Sequence, residues 1–362
     1  MAAFDRVAPV HAGGSTGSPQ ASIIIVNYNK RRHLSACLPS LYRSAGDFEV
    51  ILSDNGSTDG SLEFVSSAYP AVCIVANGSN IGFGAASNRA GKQARNDILV
   101  FLNPDTTMEP DWLVHLLEPF GECGVGLATS KILLMQDPSR INVCGNRIHL
   151  TGLTLCHGMG QSRCQFTRVQ PVGAVSGAAF AIRRELFEQL GGFDEEFFLY
   201  MEEIDLSWRA WLAGWRCVLA PGSVVYHDYA LRFGPRKVFY QERNRYLMLL
   251  KSLKWPTLIV LTPALLLTEL VTWGFVLWKD RANLKNKLLA CTWVIRNWPL
   301  IMQKRAATQA FRVARDRDML RHTGSEIDFG QVATGSVARL AQLIFDPLFG
   351  LLRAAALALV RW

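Results

Sequence analysis

Ile98-Leu99-Val100-Phe101-Leu102-Asn103-Pro104-Asp105 decides the fold. Five apolar residues run together and stop at Asn-Pro-Asp. A run this short and rich in Val, Leu and Ile suits a strand buried on both faces of a parallel sheet. Pro104 has no N–H to give to a ladder, so the strand ends there. Asp105 then stands at the carboxyl end of a central strand, the edge where open α/β sheets bind their ligands. A carboxylate beside Asn103 offers the oxygen ligands that a hard divalent cation takes. The same aspartate could instead cap a helix beginning near Pro110-Asp111-Trp112.

Working outward, the stretch is the fourth of a series. Ser22-Ile23-Ile24-Ile25-Val26-Asn27, Phe48-Glu49-Val50-Ile51-Leu52-Ser53 and Val72-Cys73-Ile74-Val75 are also short apolar runs ending in polar residues. Between them, 30–43 reads as a helix with Leu34, Cys37, Leu38 and Leu41 on one face. Ser57 or Thr58 is placed to cap a second helix running through Val65. Asn80-Ile81-Gly82-Phe83-Gly84 opens a third over 85–94. Strand alternating with helix predicts a parallel sheet covered on both faces. A dinucleotide-binding dehydrogenase needs Gly-x-Gly-x-x-Gly after the first strand. Asn27-Tyr28-Asn29-Lys30 stands there, which excludes that class.

Beyond Asp105, 125–128 reads as a strand and 135–170 as an irregular, glycine-rich excursion facing an acceptor. The small residues of 171–182 allow either close approach to a ligand or tight packing under a helix. Gly191-Gly192-Phe193-Asp194 leads into an aromatic run. Three carboxylates follow within four positions, Glu202, Glu203 and Asp205, and open an amphipathic helix ending near Gly214. Acids at a helix start favour its dipole. Crowded carboxylates also raise one another's pKa, as a general base requires. Val224-Val225-Tyr226-His227 ends a further strand, with His227 either a ligand or a core histidine.

Taken in order, six of these pieces resemble the family 2 glycosyltransferases of the GT-A fold. They are Ile25-Val26-Asn27-Tyr28-Asn29, Asp54-Asn55-Gly56-Ser57-Thr58-Asp59, Asn80-Ile81-Gly82-Phe83, Leu102-Asn103-Pro104-Asp105, Gly191-Gly192-Phe193-Asp194 and Glu202-Glu203-Ile204-Asp205-Leu206. The subgroup resembled is the rhamnosyltransferase-like enzymes of bacterial cell-surface polymers. The resemblance implies an α/β catalytic domain over 21–234 with a mostly parallel sheet flanked by helices. It implies that Asn27, Asp54, Asn80, Gly82 and Asn103 line the site of a nucleotide-diphosphate sugar, dTDP-rhamnose by subgroup. It implies that Asp105 and His227 hold a divalent cation, Mg or Mn, and that Glu203 is the catalytic base of an inverting transfer. The family's usual pair at that point is Glu-Asp, whereas this chain has Glu202-Glu203. Glu202 and Asp205 are then left to position the helix or meet the acceptor, with Asp205 the alternative base. A glycan or glycolipid acceptor at the cytoplasmic face of a bacterial inner membrane follows from the same resemblance. A non-catalytic nucleotide-sugar-binding scaffold is the rival reading; it would be expected to lose Asp105 or Glu203, and neither is lost. A processive synthase would carry Gln-x-x-Arg-Trp, which Gln241-Glu242-Arg243-Asn244-Arg245 does not match.

Composition sets the remaining bounds. The 362 residues are 49% hydrophobic with a formal net charge of +8. Residues 1–20 read as a disordered tail without a signal-peptide core. The basic excess lies after residue 227: 228–255 holds seven Lys/Arg against two acids, and 279–321 eleven against three. Flanking apolar segments, it points to an anionic membrane surface, and no motif for nucleic acid accompanies it. The 23 residues 256–278 carry one charge, Glu269, and are long enough to span a bilayer. Both flanks are basic, against the one-sided bias of a single span, so 235–362 reads as re-entrant or interfacial helices. The eight cysteines lack zinc-site spacing.

Overall fold

A computed structural model describes residues 21–229, 235–279, 281–328 and 336–362. The tail 1–20 lies outside the described residues. The four apolar runs form β1 (Ala21–Asn27), β2 (Phe48–Asp54), β3 (Cys73–Ala76) and β4 (Ile98–Leu102), separated by α1 (Arg31–Leu41), α2 (Ser61–Ala68) and α3 (Phe83–Gly91). β1 pairs in parallel with β2 and β4, and β2 with β3. All five residues of β4 are buried, as a strand covered on both faces must be. α1 lays Leu34, Cys37, Leu38 and Leu41 on the sheet.

The second half is β5 (Thr106–Met108), α4 (Trp112–Leu117), β6 (Val125–Leu134), β7 (Ile141–Val143), β8 (Asn146–His149), β9 (Thr154–Cys156), β10 (Gln170–Pro171), β11 (Ala179–Arg183), α5 (Arg184–Gln189), α6 (Glu202–Leu212) and β12 (Arg216–His227). The main sheet runs β10-β12-β6-β11-β4-β1-β2-β3, with β5 on β12 and β7 on β6. β11 is antiparallel to both β4 and β6, while β12 is parallel to β6. The sheet is thus parallel in its first half and mixed in its second, the mixed α/β layering of the GT-A fold.

Two local expectations are corrected. Neither Ser57 nor Thr58 caps α2; Gly60 does so in a left-handed conformation. Ser57 Oγ donates instead to Asp54 Oδ1 at 2.6 Å. The excursion 135–170 is not irregular throughout. It contains β7, β8 and β9, and the glycines that looked structureless (Gly145, Gly152, Gly158, Gly160) have positive φ, where a Cβ would be strained.

The C-terminal part is α7 (Pro235–Ser252), α8 (Trp255–Lys279), α9 (Leu284–Arg296), α10 (Trp298–Ala310), α11 (Asp316–Arg321), β13 (Thr323–Gly324) and α12 (Ser336–Leu359). β13 joins β8 and β9 in a small second sheet. One hydrophobic core takes Leu206 and Trp208 of α6 together with Leu247 and Met248 of α7, Leu261 of α8 and Ile301 of α10. This packing explains why α6 is not amphipathic as expected: all its residues but Glu203 are buried. It also relocates much of the basic excess. Lys251 meets Asp194 and Asp205, Arg245 and Lys287 share Glu242 and Glu269, and Lys304 meets Asp194. These charges neutralise acids of the interior, most of them distant in sequence, and do not face a membrane.

Candidate active site

The turn after β4 is tied down at both sides. Asn103 N–H donates to Ala178 O at 2.9 Å, just before β11, and Thr106 Oγ1 donates to Asn103 O at 2.7 Å. Asp105 leaves this turn partly buried. Its Oδ1 lies 3.4 Å from His227 Nε2 at the end of β12, and its Oδ2 lies 3.5 Å from Lys30 Nζ just past β1. Three strand ends therefore converge on one carboxylate, and Asp105 does not serve as a helix cap. Burial acts to raise its pKa, but a protonated His227 facing it and the charge of Lys30 outweigh burial and hold the carboxyl below the usual range.

His227 Nδ1 lies 2.9 Å from Asn142 Oδ1, an acceptor. The ring thus donates from Nδ1, which turns the Nε2 lone pair toward Asp105 when the imidazole is neutral. Asp105 Oδ1 is buried and accepts no well-formed hydrogen bond. Two electron-rich atoms facing each other at this distance need a cation or a proton between them, so the donor set fits a divalent cation. Among the described residues no three ligating side chains cluster, so substrate oxygens and water would have to complete the shell. Lys30 and Asn142 join the site without having been expected there. Lys30 is legible from its place after β1; Asn142 carries no local signal.

The other anticipated donor residues are largely occupied by their own loops. Asn27 and Asp54 are buried and bonded to each other at 2.8 Å. Asp54 Oδ2 also accepts from the N–H groups of Gly56 and Ser57, at 3.0 and 2.8 Å. Asn80 Oδ1 accepts Gly82 N–H at 3.0 Å, and Gly82 O accepts from Asn55 at 3.2 Å. These residues shape two adjoining loops at the sheet edge. Gly82 also permits a close approach. At φ +88°, its Cβ would stand 2.6 Å from Phe198 O, so only glycine lets the loop before α6 close on α3.

That loop is strained. Phe198, Tyr200 and Met201 have φ of 58°, 69° and 69°. Left-handed conformations cost a bulky residue about 1–3 kcal/mol each and persist only when the surroundings enforce them. The enforcing groups come from α7: Asn244 Nδ2 donates to Phe197, Leu199 and Tyr200 carbonyls at 3.1, 3.1 and 2.7 Å, and Arg243 donates to Glu196 and Phe197 carbonyls. No local pattern in the sequence marks this clamp.

The loop delivers the three acids in different directions. Asp205 is fully buried, 2.8 Å from both Arg209 Nε and Lys251 Nζ. Glu202 is also buried, and burial together with the Glu203 charge pushes it up to about 8. Of the three, Glu203 alone stays partly exposed. A Cβ on Gly177 would lie 3.3 Å from its Cδ, and Gly177 adjoins the Ala178 that bonds Asn103. Burial pushes Glu203 up to about 7, against the N–H groups of Gly177, Glu203 and Ile204 that favour its charged form. Asp205→Asn is expected to cost about 3 kcal/mol of folding stability, the low end for severing a buried pair because Lys251 keeps Asp194; denaturant melts read this directly.

With this geometry in view, residues 22–191 match the family model described as Glycosyl transferase family 2. The chain is also 31% identical over 232 residues to the N-acetylglucosaminyl-diphospho-decaprenol L-rhamnosyltransferase of Mycobacterium tuberculosis, covering 58% of this chain and 76% of that relative. The chain belongs to glycosyltransferase family 2. The family resemblance read from sequence, rhamnosyltransferase-like, is thereby borne out. A second relative, the pre-mycofactocin glycosyltransferase of the same species, is 28% identical over 214 residues, 58% of this chain and 44% of its own. Among solved structures, S. aureus TarS 1-349 in complex with UDP-GlcNAc covers 94% of this glycosyltransferase and 88% of its own chain, at TM-score 0.53 and 16% identity. GalNAc-T7 with UDP, GalNAc and Mn2+ covers 65% and 48%, at 0.55 and 18%. At these identities the two structures speak for the fold.

Proposed function

We propose that this glycosyltransferase moves a hexose, rhamnose by likeness to the mycobacterial rhamnosyltransferase, from a nucleotide-diphosphate donor to a lipid-linked glycan acceptor with inversion. The observation that carries the reading is Glu203. Its carboxyl is partly buried and poised near neutrality, and the link from Gly177 through Ala178 to Asn103 joins it to the turn bearing Asp105. Glu203 takes the proton from the acceptor hydroxyl as that oxygen attacks the anomeric carbon. The N–H groups at the start of α6 hold the carboxylate in place. Asp105 and His227 would hold the divalent cation, which neutralises charge on the departing diphosphate. Lys30 adds a second positive charge on that side. Asn27, Asp54, Asn80 and Gly82 fix the loops against which the nucleotide lies, and Asn103 sets the turn that presents Asp105. Glu202, uncharged at neutral pH, and Asp205 seat the helix. Purified protein offered UDP-, GDP- and dTDP-sugars should release nucleotide from one donor class only when an acceptor such as a prenyl-diphosphate N-acetylglucosamine is present. Release from none would favour the scaffold reading.

In this reading 21–234 carries the reacting groups, and 235–362, whose α7 also clamps the loop before α6, attaches the chain to the cytoplasmic face of a bacterial membrane. Two stretches, Trp255–Leu277 and Arg339–Leu359, are long and apolar enough to cross a bilayer. Midway along α8, however, Thr268 bonds Thr151 at 2.9 Å, and Glu269 meets Arg245 and Lys287. A helix tied to the catalytic body at its centre suits an interfacial position better than a span. Ile259, Leu266, Leu270 and Leu277 form its opposite stripe, 49–71% exposed, and α12 adds Leu343 and Leu351. Withdrawing a leucine from hydrocarbon forfeits roughly 1.5–3 kcal/mol. Leu266→Glu with Leu270→Glu should therefore weaken sedimentation with phosphatidylglycerol–phosphatidylcholine vesicles by at least about tenfold. Undiminished sedimentation would place attachment elsewhere.

A further inference from the structure

We propose that the cavity enclosed by the β8–β9 hairpin, α7 and α8 holds the isoprenoid units nearest the diphosphate of the acceptor lipid. This deepens the acceptor reading above and rests on it. The cavity has a volume of about 500 Å³, within the ~300–1,000 Å³ of sites that enclose a small molecule. Its lining is mostly apolar, with a few polar groups at defined places, as such sites are built.

Its position joins the chemistry to the membrane face. Its lining includes Met201, the residue that introduces Glu202 and Glu203, and Cys156. Burial pushes the Cys156 thiol up to about 11, and the nearby Glu203 carboxylate adds to that rise. The lining also takes one face of α8: Val271, Thr272, Phe275 and Val276, spaced i, i+1, i+4, i+5. The other side of this helix carries the exposed stripe of Ile259, Leu266, Leu270 and Leu277. A chain that starts beside Glu203 and follows the cavity thus runs along the inner surface of the helix whose outer surface is offered to lipid.

The polar lining is arranged for a diphosphate followed by hydrocarbon. Arg245 and Lys287 are held by Glu242 and Glu269. Lys237 also lines the cavity, its ammonium 5.6 Å from the Tyr200 ring centroid and hence beside the loop that introduces the acidic helix. A cation there and an apolar wall beyond it match an acceptor whose anionic linkage precedes a prenyl chain.

The test is photolabelling of the full chain in detergent micelles with a benzophenone-bearing farnesyl diphosphate, read by peptide mapping. Label is expected on α8 between Val271 and Val276 or on Leu155, and unmodified farnesyl diphosphate should displace it. Val271→Trp, and separately Leu155→Trp, should cut that label by about tenfold or more by filling the cavity, with nucleotide-sugar binding unchanged as the measure of an intact fold. Label confined to Leu266, Leu270 and Leu277, or label undiminished in both variants, overturns the proposal. The two readings fail separately: a chain that takes the label at α8 yet transfers no sugar upholds the cavity and sinks the transferase reading, whereas transfer with label elsewhere does the reverse.

Discussion

Glu203→Gln is expected to lower sugar transfer by about 10²–10⁴-fold, the contribution of a positioned general base, with nucleotide-sugar affinity little changed. The amide keeps the shape of the side chain and its place beside Gly177, and loses only the capacity to take a proton. The pH profile adds a second signature. A base titrating near 7 is protonated and idle below that pH, so turnover should fall as the medium becomes more acidic than about 7 and level off above it. The glutamine variant should lack this limb. Stability runs the other way. Glu202 and Glu203 are raised from 4.5 to about 8 and about 7, so the folded chain holds more protons than the unfolded chain between roughly pH 4.5 and 8. Folding stability contributed by these groups is therefore greatest at the acid end of that window and declines as pH rises through it. Melts of the Glu202→Gln, Glu203→Gln double variant should show a shallower decline.

Asp105→Ala should reduce transfer by about 10³-fold or more, because charge on the leaving diphosphate then loses several kcal/mol of stabilisation. The fold should survive. The Asp105 carboxylate pairs with a half-exposed lysine, a kind of pair that contributes about 0–1 kcal/mol, and sits at the end of a turn that is held by the backbone bond of Asn103 to Ala178 and not by its own side chain. Direct Mn2+ titration in the presence of a nucleoside diphosphate gives a readout independent of turnover. Affinity should drop by at least about tenfold in the variant, and His227→Ala should weaken it in the same direction. Metal binding unchanged in both variants would remove these residues from the cation site.

The parts of this structure written in local pattern were legible in the sequence. β4 is uniformly apolar, and β1 is apolar at Ile23, Ile24, Ile25 and Val26, because both faces are covered, and Pro104 marks where pairing stops. The separation of Glu203 from Asp205 was also legible, since two positions along a helix point about 200° apart. What could not be read depends on contacts between distant segments. The basic residues of α7, α9 and α10 looked like a membrane-facing surface because their partners, Asp194, Asp205 and Glu242, either lie far away in sequence or are single acids among many cations. The clamp of Arg243 and Asn244 on the strained loop was invisible because Phe198, Tyr200 and Met201 are not residues that signal positive φ. The short strands of 141–156 were hidden by the glycine turns that separate them. Asn142, which sets the tautomer of His227, lay in that same stretch.

Direct displacement at the anomeric carbon, with Glu203 as the proton acceptor, is the central claim. The most direct measurement is the anomeric configuration of the transferred sugar, determined by NMR on product made with a donor of known configuration. Inversion is expected in every product molecule. Retention would require an enzyme-bound or ion-pair intermediate on the donor's other face, and would contradict the role given to Glu203.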